Sequence, residues 1–502
     1  MSESRGRSVA LLVGALALGS GWYLAARHLP GQASFVVQCL LFGLAVTRLE
    51  RVGALALSSP DRMLLAVPAA ILLGAMSWRD AEALVVLDGA ALVLLAALTV
   101  PDASGRPLVV SGPAAYLERV VRAAAGWTLG AIPLAWAAAS VVTLPGRWRR
   151  LAATGLGVAA VSPALLLFAA LLSSADPAFG QLLESLVAID LGPLLPHLFG
   201  LALATWCAGG LLWAAARRPE RHPALPPAGG RVGVATLAGA LGAIEVLFAL
   251  FMVMQSRYLF GGYAHVLGVE GMTVADYARR GFFELVAVAG LTLPILLLAG
   301  WALDARRPGD RVRLGWHVLG LVGLLFLLLA SALSRMLLYT REFGLTESRV
   351  YVTACLGWLA CVFAWFALMQ LRGTPERFAT GAFAAGLQVL LALNLLDVDG
   401  MIVRVNAARA REGRTFDASY VTALGAGAVP QVLRVADGLP AAERCAVLRE
   451  MEARWRQVAS GERTRWNVER ARATGPLLER LSRRTREACD VRASARPPRP
   501  RG

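Results

Sequence analysis

The sequence predicts an all-α protein: a polytopic transmembrane helix bundle of about twelve spans, followed by a small helical C-terminal domain. Three observations predict it. Apolar runs of roughly 20 residues recur along the chain and break at short arginine-rich loops. One run, from Leu314 to Leu333, carries no charged side chain, and a helix apolar all round must be buried on every side. The 502 residues are 57% hydrophobic and 17% charged, with a mean hydropathy of +0.58, whereas soluble domains run near about 25% charged.

The apolar runs fall near residues 8–26, 32–47, 63–78, 82–100, 126–144, 151–173, 193–216, 232–255, 281–303, 314–334, 350–371 and 378–396. The second to fourth are short. The first follows Arg5 and Arg7 without a small-x-small cleavage site, so it reads as a retained span rather than a signal peptide. Gly126 and Gly130 place a GxxxG spacing in the fifth, where small residues let helices approach closely. Ala114–Ala125 is amphipathic and is expected along the membrane surface. Residues 1–402 form the bundle, 403–490 a helical soluble domain and 491–502 a disordered tail. In the C-terminal segment Cys445, Leu448, Met451, Trp455 and Val458 recur at helical spacing.

All 50 basic residues are arginine, and the net charge is +16. This reads as GC-rich codon usage more than as a ligand signature. Of six cysteines none forms a CxxC pair; four lie in apolar runs as small hydrophobes, and whether Cys445 and Cys489 pair is left open. The arginine-rich loops 145–150, 216–223, 304–313 and 372–377 alternate with loops poor in arginine, which puts the first set in the cytoplasm. The C-terminal domain then falls outside a bacterial inner membrane. It is itself basic, but long domains translocate largely regardless of charge.

Several motifs lie between the spans: SADPAF (Ser174–Phe179), YLFGG (Tyr258–Gly262), ADYARRGFFEL (Ala275–Leu285), FGLTESRVY (Phe343–Tyr351), LDVDGMIVRVNAAR (Leu396–Arg409) and YVTALGAGAVPQVL (Tyr420–Leu433). Together they resemble the bacterial membrane family filed as domain of unknown function 4173, over about residues 150–435. The resemblance implies a membrane fold and no particular reaction. Where the family pattern carries an acid, this sequence has Gly425-Ala426-Gly427, and no role is carried onto it.

The candidate polar site gathers Glu245, Tyr258, Asp276, Arg279, Arg280, Glu284, Glu347, Arg349, Asp397, Asp399 and Asn406. Glu245 lies mid-span, where a carboxylate is costly and points to function; it is expected to be protonated, to bond a neighbouring helix, or to pair with a motif-loop arginine. Arg280 and Glu284 are four apart and can pair on one helix face. Arg279 or Arg280 would grip a small anion, lipid headgroup included. Arg335–Arg349 reads as an inter-span segment in which Thr346 or Ser348 caps the next helix. Asp397 and Asp399 read as turn and capping aspartates, with a divalent cation as the sharper alternative.

No P-loop, HExxH, Gly-x-Ser-x-Gly or dinucleotide fingerprint appears, and the five histidines lack metal-ligand spacing. No cofactor and no metal are predicted. The expected partners are the lipid bilayer, an anionic small molecule or lipid headgroup, and a protein partner of the C-terminal domain; no nucleic-acid signature is present. The function expected is a non-enzymatic transporter-like or envelope-sensing protein, with an integral membrane enzyme acting on a lipid-linked or phosphorylated substrate as the alternative.

Overall fold

A computed structural model describes residues 2–29, 31–52, 58–134, 172, 194–216, 232–260, 282–304, 309–461 and 466–494. Among them the regular elements are helices, with one backbone bridge between Val232 and Leu303. In the membrane part these are α1 (Ser2–His28), α2 (Gly31–Arg51), α3 (Ser59–Trp78), α4 (Glu82–Ala97), α5 (Pro113–Leu129), α6 (Leu194–Ala216), α7 (Val234–Phe260), α8 (Phe282–Ala302), α9 (Asp310–Phe343), α10 (Glu347–Leu371) and α11 (Phe378–Leu395). The chain continues as α12 (Val398–Arg411), α13 (Ala418–Ala423), α14 (Ala428–Val435), α15 (Ala441–Ser460), α16 (Val468–Thr474) and α17 (Pro476–Ser494).

Among the described residues nine helices, all of α1–α3 and α6–α11, are long and apolar enough to cross a membrane. Their outward faces are apolar too: Val246 on α7 is 69% exposed and Trp316 on α9 70%. Water would not tolerate such contiguous surface, whereas lipid is its solvent. The predicted fourth span is shorter than expected: helix α4 has 16 residues and rises ~24 Å, yet it runs from the end bearing the C-terminal helices to the opposite end, where Leu108 meets Asp61. The predicted fifth span lies partly, and the sixth almost wholly, outside the described residues.

Two further expectations change. Ala114–Ala125 belongs to α5, which packs on α4, α6 and α11 rather than lying flat on the bilayer. Its Arg119 is 3% exposed and is bound at 2.7 Å to buried Asp102. A buried, bidentate-capable arginine with a carboxylate partner ties the 99–112 loop to the helix. The GxxxG spacing is used: a Cβ on Gly126 would run into Ala214, and one on Gly130 would come within 2.7 Å of the Gly210 carbonyl. Helices α5 and α6 therefore cross backbone to backbone.

Helices α7–α10 share one apolar core, α1, α2 and α6 a second, and α3 and α4 a third. The fourth joins the end of the bundle to the C-terminal helices: Leu84 and Leu393 pack with Ile402, Val432, Met451 and Trp455. Helix α12 straddles residue 402, and its buried face, Val398, Ile402, Val403, Ala407 and Ala410, belongs to that core. The spacing read from the sequence holds in α15, where Cys445, Leu448, Met451 and Trp455 are buried. Cys445 and Cys489 form a disulfide between α15 and α17, with Cα atoms 5.2 Å apart.

The contacts sort the loops into two ends. The end bearing the C-terminal helices receives the α1–α2, α3–α4 and α9–α10 connections and the C-terminus of α11. The opposite end receives Arg7, Arg48, Arg51, Arg62, Arg106, Arg311, Arg313, Arg372 and Arg377 from the helix ends and loops there.

Candidate functional site

The polar site is built where the bundle meets the C-terminal helices. The α3–α4 connection is only three residues, Arg79-Asp80-Ala81, so its charges are held close to both helix ends. Arg79 sends its guanidinium to Glu469 of α16 at 2.7 Å and to the Asn394 carbonyl at the end of α11 at 2.8 Å. Asp80 accepts from Asn467 Nδ2 at 2.9 Å and from Arg470 Nε at 3.1 Å, while its own N–H donates to Glu469. Asn467 is fully buried, caps α16 by accepting from the Arg470 N–H, and reaches Gln32 at the start of α2. One side chain of the C-terminal domain thus touches both of the first two helical hairpins.

Asp397 and Asp399 stand beside this lattice. Asp397 caps α12 by accepting from the Gly400 N–H at 3.1 Å, and Gln431 Nε2 donates to it at 3.3 Å. That is the capping role the sequence suggested. Asp399 differs. It is 4% exposed, Oδ1 meets no hydrogen-bond donor, and its partner is the carboxyl of Glu347 at the start of α10. Burial pushes the Asp399 carboxyl up to about 8, helped by the charges of Glu347, Glu469, Asp397 and Asp80. Burial raises Glu469 as well, against the opposing pull of the Asp80 N–H and of Arg79. The Gly425-Ala426-Gly427 turn closes over the pair: a Cβ on Gly425 would stand 2.7 Å from Asp399 Oδ2. Among the described residues no three or more His, Cys, Asp or Glu side chains converge in a metal-binding arrangement.

Arg349 and Asn406 serve the α9–α10 turn. Helix α9 runs on to Phe343, so most of the expected inter-span segment is helix, and the turn is the short Gly344-Leu345-Thr346. Gly344 has φ of +81°, a conformation that favours glycine. Asn406 grips Leu345 with both ends of its amide, at 2.8 and 2.9 Å. Arg409 donates to the Arg341 and Glu342 carbonyls, and Arg349 donates to the Gly344 carbonyl while lying 4.1 Å over the Tyr339 ring. The expected cap is corrected: the Thr346 side chain makes no capping bond, and the Glu347 N–H is met instead by the Tyr420 hydroxyl at 2.8 Å.

Glu245 is apart from this site. It meets His317 Nδ1 of α9 at 3.0 Å, and Gly320 leaves the room for its carboxylate. Among the described residues the pair is an inter-helix bond between α7 and α9. Glu284 is exposed in the first turn of α8. Tyr258 closes α7 with its ring outside the described residues, and Asp276, Arg279, Arg280 and the SADPAF segment lie outside them too. Sequence reasoning missed Arg79, Asp80, Asn467 and Glu469. The visible signal was the charged RDAE tetrad (Arg79–Glu82) breaking two apolar runs where a solvated loop is too short to fit.

A family model described as domain of unknown function (DUF4153) matches residues 66–435. Its number differs from the family the motifs resemble, and its match begins earlier, inside α3. No curated protein and no solved structure matches.

Proposed function

The chain belongs to the DUF4153 family, a membership that carries no activity, and from its own geometry we propose that it is a non-enzymatic, envelope-sensing membrane protein. The observation that carries this is the buried polar lattice of Arg79, Asp80, Asn467 and Glu469, which makes the C-terminal helices and the bundle mechanically one. A domain coupled to a bundle in this way passes a change on one side to helix ends on the other.

Two features support an extracytoplasmic C-terminal domain. Among the described residues Arg7, Arg48, Arg51, Arg62, Arg106, Arg311, Arg313, Arg372 and Arg377 lie at the opposite end of the bundle, which reads as the cytoplasmic end by charge bias. The Cys445–Cys489 disulfide belongs in an oxidising compartment. A proton-coupled transporter is the second reading, favoured by the Glu245–His317 pair inside the membrane. Paired periplasmic and cytoplasmic reporters fused after Gly413 test the placement. A periplasmic signal, with both C-terminal thiols unreactive until reduced, is expected; a cytoplasmic signal with two reactive thiols overturns the reading.

A further inference from the structure

We propose that Glu347 and Asp399 form a proton-binding site that locks the C-terminal helices onto the bundle, so that docking takes up one proton and loosens as pH rises. This rests on the envelope-sensing reading and gives it a chemical signal.

The geometry requires a proton. Glu347 opens a membrane span and Asp399 sits in the first turn of α12, so the pair bridges the two parts it would lock. Two carboxyl groups in hydrogen-bond contact cannot both stay ionised. Asp399 is almost wholly buried, and Oδ1 has no donor from any backbone or other side chain. A proton on this carboxyl removes the charge that the orphaned oxygen would otherwise share, and gives the pair its hydrogen bond. An unsatisfied buried carboxylate would be strongly unfavourable.

The surroundings do not replace that proton. The α3–α4 connection presents Asp80, α12 presents Asp397 and α16 presents Glu469, all negative. Glu82 of α4 adds to the field at Glu347. The positive charges are largely committed: Arg79 to Glu469 and, at 3.8 Å, to Asp397, which Arg404 also reaches at 3.8 Å, and Arg470 to Asp80. Arg454 of α15 faces the pair, but its guanidinium is turned to the Thr422 and Leu424 carbonyls. Tyr351 borders the pair, and so does Tyr420, a neutral phenol whose hydroxyl meets the Glu347 N–H.

The direction follows. Asp399 is raised from 3.8 to about 8, so stability from its protonation is complete below its ordinary value and is lost as pH rises through the raised one. When the domain loosens the carboxyl is solvated and ionises, releasing the proton to water; no other bond changes. One proton per docking event means the docked-to-open ratio falls about tenfold per pH unit inside that window.

The test is hydrogen exchange on the full-length protein in nanodiscs from pH 5 to 9, with rates normalised to intrinsic exchange at each pH. Protection of α15 and α16 amides is expected to fall about tenfold per unit up to about pH 8 and then level off. Asp399→Asn should flatten that profile, and so should Glu347→Gln, whose amide supplies a permanent donor. Wild-type protection that is independent of pH overturns the proposal. So does an unchanged slope in whichever of the two variants folds. The assay is blind to membrane sidedness, so its failure is distinct from a failure of the reporter experiment.

Discussion

Removing Arg79 alone should be worse than removing both Arg79 and Glu469. The two side chains are 16% and 14% exposed and 2.7 Å apart. At that depth desolvation offsets attraction, and burial leaves the Glu469 carboxyl raised despite Arg79. Arg79→Met leaves Glu469 buried, facing Asp397, with only the Asp80 N–H to satisfy it. The expected cost to docking is ~3–5 kcal/mol. Glu469→Leu added to it removes the stranded charge and should recover at least ~1.5 kcal/mol. Part of the loss stays, because Arg79 also donates to the Asn394 and Leu395 carbonyls at the end of α11. Arg79→Lys keeps the charge without the planar fork and should fall between. The readout is the opening free energy of α16, from exchange on the four proteins of the double-mutant cycle. Additivity within about 0.5 kcal/mol would refute the coupling.

Three further outcomes are expected. Gly210→Leu drives a side chain into the Gly126 backbone, so it should cost ~2–4 kcal/mol; a detergent melt unchanged from wild type would count against the close crossing. Asn406→Ala strips the Leu345 peptide of both its bonds and should cost ~2–3 kcal/mol, read as faster exchange in the 343–347 turn. Replacing Cys445 and Cys489 by serine opens a loop of 44 residues, which chain entropy values at about 4 kcal/mol; a C-terminal domain equally resistant to urea with and without the disulfide would contradict that.

The membrane architecture was legible because lipid imposes one rule on every span, and that rule is local: enough consecutive apolar residues to cross. Its bounds ran long where the pattern was borderline, as in α4, whose apolar pattern continues past Ala97 although the helix stops there. The site was half legible. Glu347, Asp397 and Asp399 stood out as charges next to apolar runs, and the structure brings them together. Their partners did not stand out, since Asp80 and Asn467 are separated by 387 positions and no periodicity links them. Tyr420 shows the same limit: a helix start was expected to use its own threonine, and tertiary packing supplied a phenol from the C-terminal segment instead. Arg349 and Asn406 were expected as candidate ligand groups, and the structure adds a contact no pattern announced: both hold the α9–α10 turn.

The contacts of Asn467 with Gln32 and Asp80 also dictate an order of assembly. Helices α1–α4 leave the ribosome first, and Asp80, which is nearly buried in the finished protein, then has neither Asn467 nor Arg470 to meet. That short turn must wait in water or headgroups while more than 380 further residues are made. Synthesis of α16 is therefore the event that seals this early turn. A ribosome stalled before α16 would leave an otherwise inserted bundle with an open, charged seam, the kind of unfinished surface that membrane proteases are placed to find.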